Sequence, residues 1–400
     1  MNKSVGTSLE LWFLSRLLHA PSTEGADDAL GSLTVIIPSY CRQPFLLRQI
    51  VYWSHSRVKV IILDGSPEPL SNKVTCVLET IPNIRYVNCP LGLVERLSVV
   101  GDLIDTPYAV LLGDDEFHLR SGLRHAVSYL NGNSDYVGCI GQSLKFFVEN
   151  ESQQVVYSEG YSHLRYKVSD ESVQKRFERA MENYNAATCY AVLRLEVWKD
   201  TWASLRKSSC KDVCEVQQAL GTYGAGKFST VEQIYWLRSY ENVSIPDHNH
   251  FANISFPTWW TSSAYAGERQ EIVADIGAVI QKYANLSATE ADSAVRNGLE
   301  AFNQFYCRNY PRKKLLSRDR IKGAIVTLAK SYMPARCYDT LKAIFAANDT
   351  SNSTQRGTNL GGREALASNQ CQDLFKFDAE TNKELRDIEY LLFDFYKNYR

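Results

Sequence analysis

No stretch of this chain is apolar for long enough to cross a bilayer. The nearest approach, Leu9-Glu10-Leu11-Trp12-Phe13-Leu14, is interrupted by Glu10 and followed by Arg16 and His19. It is too short and too charged for a signal-peptide core, so a cytoplasmic protein is expected, with peripheral association at the inner face of the membrane left open. An excess of one charge is lacking too. Lys and Arg total 44 against 45 Asp and Glu, a net charge of −1, which gives no global reason to bind nucleic acid or an anionic membrane. The local run Arg312-Lys313-Lys314 reads as a solvated helix start. Cysteine is present without a pattern. None of the ten forms a CxxC pair, and Cys210 and Cys214, four apart, have no neighbouring His or Cys to complete a metal site. Free thiols in a reducing compartment are expected.

What is there is an ordinary globular composition, 44% hydrophobic and 22% charged, over a length that exceeds one usual core. The pattern divides the chain into a helical leader and linker over 1–30, a main domain over 31–264 and a helical region over 265–400. The last is predicted to hold helices at 267–284, 288–309, 318–330, 335–346 and 379–398, with a polar loop near 348–369. Within the main domain, Leu33 to Ile37, Val58 to Leu63, Ile84 to Val87 and Tyr108 to Leu112 are apolar runs separated by helical spacings. Such alternation predicts βαβ units and a mostly parallel sheet, in which ligands bind beyond the carboxyl ends of the strands. Three of those ends carry polar or acidic residues: Ser39-Tyr40, Asp64, and Asp114-Asp115-Glu116.

The segment Thr34-Val35-Ile36-Ile37-Pro38-Ser39-Tyr40-Cys41-Arg42 resembles the first strand and loop of family 2 glycosyltransferases. Val60 to Ser66 resembles their second strand and acidic turn, with Leu63 in place of the first acidic residue. Tyr108 to Phe117 resembles the strand that ends in their metal motif, with Gly113 where many relatives carry Asp. The likeness covers 33–120 and implies an α/β fold of the GT-A type, a nucleotide half over 31–120 and an acceptor half over 121–264. By the same resemblance Pro38, Ser39, Tyr40, Arg42, Asp64, Arg96 and Asp114 are the nucleotide-binding candidates. Tyr40 would stack on the base, Asp64 would bond to it, Asp114 would face the ribose, and Arg96 would lie near the phosphates or on the surface. Asp115, with Glu116, would hold Mg2+ or Mn2+, because a leaving diphosphate is neutralised by a hard cation on oxygen ligands.

A general base must take the acceptor proton. Asp212 and Glu215, three apart on one predicted helix, are the catalytic candidates, Glu215 first. In Asp247-His248-Asn249-His250 one of His248 and His250 could reach the metal, the two pointing to opposite faces of an extended segment. Trp259 and Trp260 are read either as a sugar platform or as core. Gly221 to Lys227 comes close to a phosphate-binding loop but ends in Phe228 and follows a helix, so it is rejected. By the same resemblance the function expected is metal-dependent, inverting transfer from a UDP-linked sugar to a hydroxyl of a glycan or lipid-linked glycan, in surface polysaccharide synthesis. The C-terminal helices are the candidate surface for a homo-oligomer. Two readings compete: a sugar nucleotidyltransferase, whose glycine-rich loop is missing from 38–45, and a non-catalytic carbohydrate-binding or scaffold protein, against which the acidic cluster stands.

Overall fold

Four short apolar runs fold as the strands their composition predicts: β1 (Leu33–Ser39), β2 (Lys59–Asp64), β3 (Ile84–Asn88) and β4 (Tyr108–Leu111). They lie parallel in the order β3-β2-β1-β4. Val35, Ile36 and Ile37 are wholly buried, as parallel strands covered on both faces require, and each such side chain stabilises by about 1.5–3 kcal/mol. The crossovers are α2 (Gln43–Trp53), α3 (Asn72–Leu78) and α4 (Leu93–Val100), and an N-terminal helix, α1 (Lys3–His19), precedes them. Pro44 lies in the first turn of α2, where a missing N–H costs nothing. The parallel register collects the strand ends at one edge. Ser39 is opposite Asp64, Asp64 is opposite Asn88, and the Leu112 N–H donates to the Ile36 carbonyl just before the acidic loop.

The computed structural model describes residues 3–19, 28–149, 154–161, 166–241, 254–310, 366–367 and 377–399. Beyond β4 the sheet becomes mixed. After β5 (Phe117–His118) and α5 (Arg120–Gly132) come β6 (Tyr136–Glu149), its hairpin partner β7 (Gln154–Glu159), α6 (Val173–Glu182) and β8 (Val192–Arg194), which is antiparallel to both β4 and β6. Helices α7 (Leu195–Ala203) and α8 (Lys211–Ala225) lead to β9 (Lys227–Ser239). The long β9 runs parallel along β6 and pairs antiparallel with β5, setting Phe117 opposite Leu237 and His118 opposite Trp236. This pairing brings residues from late in the domain beside the acidic loop. Gly221 and Gly224 lie inside α8, which runs almost directly into β9, so the rejected phosphate loop has no loop to form it.

Three further helices, α9 (Phe256–Thr261), α10 (Ala266–Tyr283) and α11 (Ala288–Asn309), follow β9, and a C-terminal helix covers Ala379–Tyr399. Residues Met1–Phe305 and Leu366–Arg400 make one compact unit, in which α10 packs on α8 and the C-terminal helix packs on α1, α2 and α5. The second unit, Tyr306–Ala365, is described only to residue 310, one past the end of α11. The helices expected at 318–330 and 335–346, the basic run at 312–314 and most of the polar loop lie outside the described residues; Leu366–Ala367 pair with β7. Among the described residues no helix is long and apolar enough to cross a membrane.

Candidate active site

The acidic loop leaves β4 at Gly113. A Cβ there would stand 2.9 Å from a carboxylate oxygen of Glu116, so glycine leaves room for that side chain to fold back. Asp114 is buried and accepts from Ser39 Oγ at 2.7 Å and Arg42 Nη1 at 3.1 Å. Burial, then the Asp115 charge, pushes its carboxyl up to about 6. The same Arg42 nitrogen is 3.2 Å from Asp115 Oδ2, and of the two aspartates Asp115 is the more open. Glu116 departs from the expected ligand geometry. Its carboxylate accepts from the Trp236 indole at 2.9 Å, and burial raises it to about 8, with Asp115 as the second cause. The indole N–H is a fixed donor in a dry site and turns Glu116 toward β9.

The loop is gripped from below by α2. Gln49 Nε2 donates to the carbonyls of Asp114 (3.2 Å) and Glu116 (2.5 Å), and Arg48 Nη2 donates to that of Asp115 at 2.9 Å. Arg48 has no exposed surface. Its Nη1 meets Glu241 at 3.2 Å, and the guanidinium lies 5.0–5.1 Å from the ring centres of Phe45, Phe117 and Phe395. A buried cation is tolerated only when its charge is met in this way, although the Arg48 Nε itself is left without a hydrogen-bond partner. The polar pair Arg48-Gln49 inside an otherwise apolar helix was the sequence signal for this clamp.

At the ends of β1 and β2 Tyr40 is exposed while Ser39 is buried, and Pro38 is part of β1 in register with Leu63. Cys41, next in line, has φ 54°, a left-handed conformation unusual for a side-chain-bearing residue, and its N–H donates to Ser66 Oγ at 2.8 Å. Asp64 is fully buried and accepts from Ser66 N (2.9 Å), Ser66 Oγ and Tyr86 Oη (2.8 Å), so its carboxylate braces the β2 turn. Arg96 is not a surface residue. It is buried, and its Nη1 donates to the carbonyls of Ser39 (2.7 Å) and Leu63, tying two strand ends together. Gly65 is needed there, because a Cβ would come within 2.6 Å of the Arg96 guanidinium carbon.

Across the acidic loop, β9 presents a wall of rings. Trp236 is sandwiched between Tyr190 (centroids 4.3 Å apart) and Tyr161 (5.7 Å), both stacked. Glu215 on α8 accepts from Tyr184 Oη at 2.8 Å, and burial raises its carboxyl. The charge of Glu116 first, then burial, lifts the Tyr190 hydroxyl; Glu215 adds to it. Asp212, on the same helix, is also raised by burial. Trp259 and Trp260 belong to helix packing, not to this wall: their indoles donate to Glu268 (2.8 Å) and Glu300 (2.6 Å), and Trp259 is wholly buried.

Among the described residues no group of three or more His, Cys, Asp or Glu is placed to hold a metal ion, and His248 and His250 lie outside them. Asp115, with Asp114 beside it, supplies hard oxygen donors of the number that Mg2+ uses when substrate phosphates complete its shell. These two carboxylates fit such an ion, with Arg42 as the cation now between them.

No family model matches the chain, and no curated protein matches it. Among solved structures it is similar to S. aureus TarS 1–349 in complex with UDP-GlcNAc, at TM-score 0.47 and 13% identity over 78% of this chain and 83% of that one. It is also similar to the mannosyltransferase PcManGT from Pyrobaculum calidifontis in complex with GDP-Man and Mn2+, at TM-score 0.36 and 14% identity over 87% and 95%. Both likenesses are distant.

Proposed function

We propose that this chain is a glycosyltransferase that moves a sugar from a UDP-linked donor to a hydroxyl of a glycan or lipid-linked glycan, with inversion. The observation that carries the reading is the convergence at one sheet edge of an exposed Tyr40, the Asp64 turn and a braced Asp114-Asp115 pair, with the half-buried Glu215 near enough to the aromatic wall for its charge to raise the Tyr190 hydroxyl. Tyr40 stacks on the base, and the β2 turn that Asp64 braces through Ser66 and Tyr86 receives it. Arg42 turns from the aspartates to the diphosphate, a bidentate partner suited to a guanidinium. Asp115 and Asp114 hold Mg2+ or Mn2+, which when bound neutralises the leaving diphosphate. Glu215 takes the proton of the acceptor hydroxyl. The oxygen then bonds to the anomeric carbon from the face opposite the diphosphate, and the diphosphate leaves with the electron pair of the broken bond.

Thermal unfolding with UDP and Mn2+ or Mg2+ tests this. Stabilisation of about 2.7 kcal/mol is expected at a hundredfold excess over the dissociation constant, and a chelator should remove it. Asp115→Asn should fold and lose at least about a hundredfold in turnover, the scale of one preorganised electrostatic contact. No shift with any nucleoside diphosphate in the presence of metal would sink the donor site. Near-normal turnover of Asp115→Asn at saturating donor would sink the role of Asp115.

A further inference from the structure

Lys145 on β6 and Arg238 on β9 are register partners on neighbouring parallel strands. Both cations lean on one ring: Lys145 Nζ is 5.4 Å and Arg238 Cζ 5.6 Å from the centre of Tyr240. Arg238 also lies 4.9 Å over Tyr161, the outer ring of the aromatic wall, and donates to its hydroxyl. Like charges side by side across a sheet oppose folding, and ring faces offset this only in part. Among the described residues neither cation forms an ion pair with a carboxylate. Glu116 and Glu215, whose fields Arg238 feeds into, are already bonded to Trp236 and Tyr184. Tyr240 is exposed and both cations are half-buried, so the pair is reachable from solvent.

We propose that Lys145 and Arg238 form a subsite for an anionic group, phosphoryl or carboxylate, that the acceptor carries near the hydroxyl to be glycosylated. This rests on the transferase reading and extends it to the acceptor's class: an anionic glycan rather than a neutral one. The acceptor is the source because the pair sits on β6 and β9 with Trp236 and Tyr161, whereas the donor loops leave β1, β2 and β4 and carry their own cation in Arg42. An anion here gains charge-assisted bonds from two donors and removes their mutual repulsion.

Calorimetric titration of the full chain with inorganic phosphate tests the subsite, alone and with saturating UDP and Mg2+. Phosphate should bind in both conditions, and Arg238→Gln should weaken it at least about tenfold without changing UDP affinity. Lys145→Met, on a half-exposed side chain, gives the same reading if Arg238→Gln does not fold. Equal phosphate affinity in wild type and variants would overturn the subsite. Loss of phosphate binding once UDP is bound would assign the pair to the donor's diphosphate and overturn the acceptor role. Failure of UDP itself to bind would instead bring down the transferase reading, and the phosphate titration would still be legible.

Discussion

Glu215 holds its proton more tightly than an exposed glutamate because burial disfavours the carboxylate, and the Tyr184 hydroxyl partly offsets this by bonding to the charged form. Removing that bond in Tyr184→Phe raises the Glu215 pKa further. If Glu215 is the base, it must be deprotonated to act, so the acid limb of the kcat/KM profile should move to higher pH in the variant. Activity lost near that limb should return as pH rises, and an unmoved limb in Tyr184→Phe would remove Glu215 from the role. At this scale the sequence located the acidic residues well, since Asp64 and Asp114 to Glu116 each follow an unbroken apolar strand. It did not reveal their partners. The surface alternative for Arg96 stayed open because nothing local shows that its guanidinium is swallowed beneath two strand ends. Glu116 read as a ligand because Trp236, which turns it away, comes 120 residues later.

Helix α2 is the element on which the acidic loop rests, through Arg48 and Gln49. Replacing Arg48 alone leaves Glu241 as a buried unpaired charge, so Arg48→Met should cost roughly 3–5 kcal/mol in urea unfolding. Arg48→Met with Glu241→Gln removes both charges and should recover most of that stability. Turnover should stay low in the double variant, because the Asp115 carbonyl has still lost its donor. Full recovery of turnover together with stability would reduce Arg48 to packing. The contrast between the two halves of the sheet explains what the sequence could show. β1, β2 and β4 are covered on both faces and read as continuous β-branched or apolar runs. β9 reads Lys-Phe-Ser-Thr-Val-Glu-Gln-Ile-Tyr-Trp-Leu-Arg-Ser, partly buried and irregular, with register shifts along β6. Its place is set by pairing with β5 and β6, which no local pattern encodes, and the rings and cations it brings to the site stayed hidden with it.

For the molecule as a whole, the C-terminal helix, read from the sequence as a surface for assembly, also supports the sheet edge that carries the acidic loop. Phe395 covers the Arg48 guanidinium, and Glu384 accepts from Tyr52 Oη, Arg120 N and Nε, and Ser121 N and Oγ, all at 2.7–3.1 Å. Its carboxylate thereby satisfies the first N–H groups of α5 while its partners on α2 and α5 are held together. Glu384→Ala should therefore cost roughly 3 kcal/mol or more. Glu380→Ala, one turn away with an exposed pair to Arg124, should cost less than about 1 kcal/mol. Equal midpoints for the two variants in urea would show that the Glu384 cluster does not lock the helix. Glu384 and Arg120 are 264 residues apart in the chain. At roughly 5–20 residues per second of synthesis, the loop that would hold a donor leaves the ribosome on the order of tens of seconds before the helix that braces it. Through that interval the nascent sheet edge is built but unlocked, and on the proposed function competence to bind nucleotide becomes a late event of biosynthesis.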